Sequence, residues 1–131
     1  MGASDFHVHL PFLFWLTEIQ QPTSIIELGL HDGQSYFALC QAVDRLNLSA
    51  RCRGVFLTKP DLDGAEAAVD VCNQVNDYND ENYPEFSKLT TGGAIATLSR
   101  VADHSVDLLA LGPQMAAHTL EQVLAICQIK L

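Results

Sequence analysis

Short apolar, β-rich runs alternate with helix-periodic stretches along this chain, and that rhythm leaves few folds open. "SIIELGL" (24–30), "RCRGVFL" (51–57), "FSKLTTGG" (86–93) and "SVDLLALG" (105–112) read as strands. Between and after them, 32–50, 64–75, 93–102 and 116–128 read as helices, the first with Phe37, Leu39, Cys40 and Val43 as its inward stripe. The acidic stretch from there to Glu85 predicts loop or ragged helix, with Asp77 to Glu81 as a solvated charge run. A leading helix is expected over 6–20, with Phe6, Leu10, Leu13, Phe14 and Leu16 at helical spacing and Ser4 or Asp5 as N-cap. Parallel strands need a crossover, usually a helix, and helices on both faces make the strands nearly continuously apolar. The expectation is an α/β fold: a Rossmann-like parallel sheet of about four strands with helices on both faces. At 131 residues the chain is expected to be one domain, 1–131.

Chemistry is concentrated where the first strand ends. "IIELGLHDGQSYFALCQAV" runs from a strand through a loop with Gly29 and Gly33 into a helix starting near Ser35. That is the shape of a nucleotide-binding first strand–loop–helix unit. Gly29 allows a sharp turn, and Gly33 is expected to let a ligand approach main-chain N–H groups at the helix start. The spacing is G-x-x-x-G rather than G-x-G-x-x-G, which argues against a dinucleotide pyrophosphate. Glu27, two positions before the first glycine, is the habit of proteins that bind S-adenosylmethionine (SAM). A carboxylate at a strand end needs a partner, and orienting the loop amides or contacting the SAM amine are its two candidate tasks. Ser35 is either a helix cap or a ligand contact. Tyr36 either packs under the cofactor or joins the core.

These residues resemble the small class I SAM-dependent methyltransferase domains often attached to bacterial glycosyltransferases. Those domains run "ELG-h-x-G-x-S-Y-x-x-x-x-Q", and "YPEFSKL", "VADHSVDLL" and "HTLEQV" match further segments in the same order, from Phe6 to Val123. The resemblance implies strand order 3-2-1-4, a SAM pocket touched by Glu27, Gly29, His31, Gly33, Ser35 and Tyr36, and an O-methyltransferase ancestry with sugars or small hydroxylated acceptors. Departures from the family pattern fall on its chemistry. A "V-D-T-W" acid for the SAM ribose is replaced by Val55-Phe56-Leu57-Thr58, with Phe56 in the acid's place and Asp61 or Asp63 as substitutes from the next loop. The family's "L-L-H-I-D-G" reads here "LLALGPQMAAHTL", so Ala110 and Gly112 replace the histidine and aspartate, an acid/base or metal-binding pair. His118 is the remaining candidate base. The expectation is a degenerate methyltransferase-like domain, with a non-catalytic nucleotide-binding or assembly module as the alternative. Strands of the full fold beyond the fourth are expected to be missing. The fourth strand would then be an open edge, inviting a homodimer or a neighbouring domain.

Composition excludes other classes. A net charge of −9, from 16 acids and 7 bases, repels phosphate backbones, so nucleic acid and anionic membranes are not expected partners. Only Arg51 and Arg53 lie close together in sequence. No run approaches the ~18 apolar residues of a membrane span. Leu10–Leu16 lacks the flanks of a secretory signal, which points to the cytoplasm. Cys40, Cys52, Cys72 and Cys127 are spaced like buried, reduced thiols. His7 and His9 imitate the H-x-H of metallohydrolases, but that motif needs a preceding strand and a barrel of about twice this length. They read as helix-start histidines, and no metal is expected.

Overall fold

Ile25 and Leu28 have no exposed surface and Ile26 almost none, so the first apolar run lies at the centre of a sheet. The computed structural model describes residues 10–131, and side chains from residue 15 onward. His7 and His9, the candidate caps Ser4 and Asp5, and Phe6 lie outside the described residues, as do the side chains of Leu10, Leu13 and Phe14. The elements are α1 (Leu10–Gln20), β1 (Ser24–Leu28), α2 (Gln34–Arg45), β2 (Arg51–Leu57), α3 (Val69–Asn82), β3 (Ser87–Gly92), α4 (Ala94–Ser99), β4 (Leu108–Leu111) and α5 (Ala117–Lys130). All pairings are parallel and the order is β3-β2-β1-β4, as the motif resemblance implies.

Alternation along each strand divides the core into two layers. Ile25, Cys52 and Phe56 pack against Tyr36, Leu39, Cys40 and Val43 of α2 and Val75 of α3. Ile26, Leu28, Val55 and Leu57 face the other way, onto Ala94 and Leu98 of α4 and Val123 of α5. Burying a side chain of this size is worth about 1.5–3 kcal/mol, so both layers are needed to offset chain entropy. Three buried polar groups join α2, α3 and β3: the Tyr36 hydroxyl lies 2.5 Å from Ser87 Oγ, which donates to Asn79 Oδ1 at 2.5 Å, while Asn79 Nδ2 donates to the Ser87 carbonyl at 3.3 Å.

Several boundaries differ from expectation, α2 ending at Arg45 rather than 50 and α4 at Ser99 rather than 102 among them. β1 stops at Leu28, because Gly29 takes φ +92°. Residues 64–68 are loop rather than helix, and α3 instead continues through the acidic run to Asn82. There Tyr78 and Tyr83 lie against the Phe37 ring, with centroids 4.7 and 5.9 Å away. β4 starts only at Leu108; just before it, the exposed Asp107 carboxylate accepts from the Thr23 N–H at 2.8 Å and from its hydroxyl at 2.5 Å. α5 takes in Ile129 and Lys130. Of the four free cysteines, Cys40 and Cys52 are buried as expected, but Cys72 and Cys127 are half-buried. No helix among the described residues is long and apolar enough to cross a membrane.

Candidate ligand cleft

In this strand order the chain leaves β1 toward β2 on one side and returns to β4 on the other, so β1 and β4 flank the topological switch point. A cleft of about 370 Å³ opens at the strands' C-terminal ends, lined by Gly29, His31, Leu57, Asp63, Glu66 and Met115 among others. Its outer wall is the loop after β2, tied to the loop after β4. Asp63 N–H donates to the Gln114 carbonyl at 2.8 Å, and Leu62 bridges Met115. Asp61 anchors the same wall: its carboxylate accepts from Ala94 N–H and the Thr119 hydroxyl, each at 2.9 Å, and its carbonyl from Ala116 N–H at 2.8 Å. Glu66 accepts from Lys59 N–H at 2.9 Å.

Gly29, on the cleft lining, lies against Gly112 just past β4. Gly29 has positive φ, and a Cβ on Gly112 would lie 2.1 Å from the Gly29 carbonyl oxygen, so β1 and β4 end backbone against backbone. Gly29 and Leu30 N–H both donate to the Val55 carbonyl, at 2.9 and 3.0 Å. The expected display of free amides therefore fails at these two positions. Gly33, at φ +83°, caps α2, and a Cβ there would meet the Phe37 ring at 2.8 Å. It admits Phe37 rather than a ligand. The carboxylate of Asp32 accepts the Gln34 N–H at 3.0 Å, so Asp32, not Ser35, serves the helix start.

Ser35 turns inward and donates to the Glu27 carboxylate, 3.1 and 3.2 Å from its two oxygens. Glu27 is 4% exposed. Burial lifts its carboxyl from an ordinary 4.5 to about 7; the Ser35 hydrogen bond pulls down and the Asp32 charge pushes up by less.

Gly29 and His31 thus line the cleft, whereas Glu27, Gly33 and Ser35 are not among its lining residues. Two further candidates lie off the cleft lining. Tyr36 is fully buried with its hydroxyl on Ser87, so it has no surface to offer a cofactor. His118 is exposed in the first turn of α5 and outside the cleft lining. Phe56, at the family's acid position, points into the α2–α3 core, and Leu57 faces the cleft instead. Sequence reading missed Glu66 and the small residues Gly64 to Ala68 as lining; the turn-forming Asp63-Gly64 pair was the available signal. Among the described residues no three His, Cys, Asp or Glu side chains gather as a metal-ligand set.

No family model matches the chain. The protein named "Uncharacterized protein y4gI" of Sinorhizobium fredii is 36% identical over 101 residues, 77% of this chain but 11% of its own length. Among solved structures, the O-methyltransferase TomG of Streptomyces achromogenes, in complex with SAM, superposes with a TM-score of 0.58 at 18% identity, over 84% of this chain and 44% of TomG. Cofactor-bound Rv0187 from MTB gives 0.58 at 18% identity, over 85% and 44%. The methyltransferase PaMTH1 of Podospora anserina, bound to S-adenosylhomocysteine (SAH), gives 0.56 at 15%, over 77% and 37%. The fold is the class I methyltransferase fold. The chain spans about a tenth of the length of y4gI and less than half of each of these solved structures. Within that fold the cleft between β1, β2 and the loop after β4 stands at the switch point, where open α/β sheets take their ligands.

Proposed function

We propose that the cleft binds SAM or SAH, in a degenerate methyltransferase-like domain related to O-methyltransferases of sugars or small hydroxylated acceptors. The observation that carries this reading is the cleft's charge: Asp63 and Glu66 line it and no Lys or Arg does. SAM bears a sulfonium and an ammonium against one carboxylate, so its net charge suits such walls, while a pyrophosphate would be repelled. The volume lies within the range of small-molecule sites. With Phe56 withdrawn into the core and Asp61 held by Ala94 and Thr119, Asp63 is the carboxylate placed to receive the ribose hydroxyls. Bound SAM would supply the methyl group; the chain's own residues would hold it by charge and by the apolar surface of Leu57 and Met115.

Isothermal titration tests this. SAH should bind with a Kd near or below about 100 µM, or about −5.5 kcal/mol. Ala65→Trp, at an exposed lining position, should weaken it more than about tenfold, and Asp63→Asn should weaken it by about tenfold. No heat from the folded protein at millimolar SAH ends the reading. Binding without transfer is the second reading, a nucleotide-binding or assembly module. The exposed place of His118 favours it, leaving His31 as the imidazole on the cleft lining.

The remaining features of the reading are a cytoplasmic setting, supported by four free thiols, and attachment to a glycosyltransferase, implied by the motif resemblance. β4 pairs on one side with β1, and its other edge carries Leu111, with Leu124 and Ile129 of α5 exposed. A second copy pairing β4 to β4 about a two-fold axis would cover it. Sedimentation should then show a dimer that Leu111→Lys dissociates; a clean monomer at every concentration rules the dimer out.

A further inference from the structure

A second groove, of about 410 Å³, lies between β3 and α4 and shares no lining residue with the cleft. Arg53, Lys88 and Arg100 line it, three of the chain's seven Lys and Arg residues, and among the described residues no acid does. Arg53 and Lys88 are direct partners in the β2–β3 register, so two like charges stand side by side on one face. That arrangement destabilises a sheet unless something neutralises it. Among the described residues nothing does. Among the described residues the one ion pair joins Lys130 and Asp103, and no side chain hydrogen-bonds Arg53, Lys88 or Arg100. Arg100 has a local reason for its charge at the C-terminal end of α4; Arg53 and Lys88 have none. Thr90, two residues beyond Lys88 on the same face of β3, also lines the groove, and among the described residues its hydroxyl has no hydrogen-bond partner.

We propose that this groove is a binding site for a small phosphorylated molecule, carrying a phosphate monoester or diphosphate. Arg offers a planar fork for phosphate oxygens, Lys a point charge, and the Thr90 hydroxyl a further donor. The size of the anion follows from screening. At physiological salt the Debye length is about 8 Å, so a compact phosphate in the groove feels the local cations more than the rest of the protein. A long polyanion, or an anionic membrane, would extend over a body of net charge −9 and be repelled. The site is independent of whatever the cleft binds.

Inorganic pyrophosphate is the probe. Calorimetry at low ionic strength should give one site with a Kd below about 1 mM. Lys88→Gln and Arg100→Gln, both at exposed positions, should each weaken it about tenfold, while Arg45→Gln on α2 leaves it unchanged. Thermal melts add a readout that lost folding could not imitate. Ligand-free Lys88→Gln should melt at or above the parent temperature, because the repulsion on Arg53 is relieved, yet lose the stabilisation that pyrophosphate gives the parent. Absence of saturable binding, or equal affinity in all variants, would overturn the proposal. So would a uridine oligonucleotide binding more tightly than pyrophosphate, since the site would then belong to a polyanion.

Discussion

Glu27→Gln is expected to melt on the order of 10 °C above the parent at pH 8 and to coincide with it at pH 4. The sign follows from proton counting. In the unfolded chain the Glu27 carboxyl loses its proton near 4.5; in the fold, burial holds the proton until about 7. Between those values the folded state binds more protons than the unfolded state, so stability falls as pH rises. Above pH 7 the fold contains a buried carboxylate with one hydroxyl donor, Ser35. The interval from 4.5 to about 7, at about 1.4 kcal/mol per pH unit, corresponds to about 3 kcal/mol. Glutamine keeps an oxygen for Ser35 and cannot ionise, so it removes the loss at high pH only. Melting curves from pH 4 to 8 decide the matter: a gap between the two proteins that does not vary with pH would mean that Glu27 is not held neutral. An acid that costs the fold stability at neutral pH is expected of a functional position rather than a packing one.

The second large effect is Gly112→Ala. Its methyl group would sit 2.1 Å from the Gly29 carbonyl oxygen and 2.9 Å from the carbonyl carbon. These are main-chain atoms at the C-terminal ends of β1 and β4 and have no rotamer to escape into. Overpacking costs about 1–3 kcal/mol where side chains can yield, so a loss of about 3 kcal/mol or more is expected here. The strands would have to part beside Gly29, which lines the cleft, and SAH binding should fall with stability. Gly92→Ala is the control, since a Cβ there meets nothing within 4 Å, and its cost should stay within about 0.5 kcal/mol. Urea midpoints at unchanged m-value compare the two. Similar midpoints for both variants would show that β1 and β4 are not in contact at their ends.

The sheet was legible because its code is local. Ile25, Ile26, Val55 and Leu57 are apolar neighbours in sequence, and alternation with helical stretches dictates parallel pairing. The cleft was half legible. Gly29 and His31 sit on a glycine-marked turn, and they line it. The wall after β2 was not legible, because "GAEAA" has strong helical propensity. Glu66 instead bonds Lys59 N–H, and Leu62 and Asp63 pair with the loop after β4. Tertiary bonds of that kind override propensity and leave no periodic trace. α3 shows the reverse error: its acidic half looks unfit for a helix until Phe37, distant in sequence, is seen beside Tyr78 and Tyr83. His118 is matched by motif, yet its place outside the cleft lining could not be read from the motif, which carries no distance to the cleft. The groove cations were invisible because Arg53, Lys88 and Arg100 meet only through strand register and a helix crossover.

β3 is the most polar strand of the four, and alternation alone would hardly stop it sliding along β2. A slide by one residue would swing Ser87 to the opposite face, stripping Asn79 and Tyr36 of their partner inside the protein. The three-way polar clasp thus acts as an index pin, making one alignment of this strand far cheaper than its neighbours. That alignment is also what brings Lys88 abreast of Arg53. A tyrosine hidden in the interior therefore decides which charges meet at the surface.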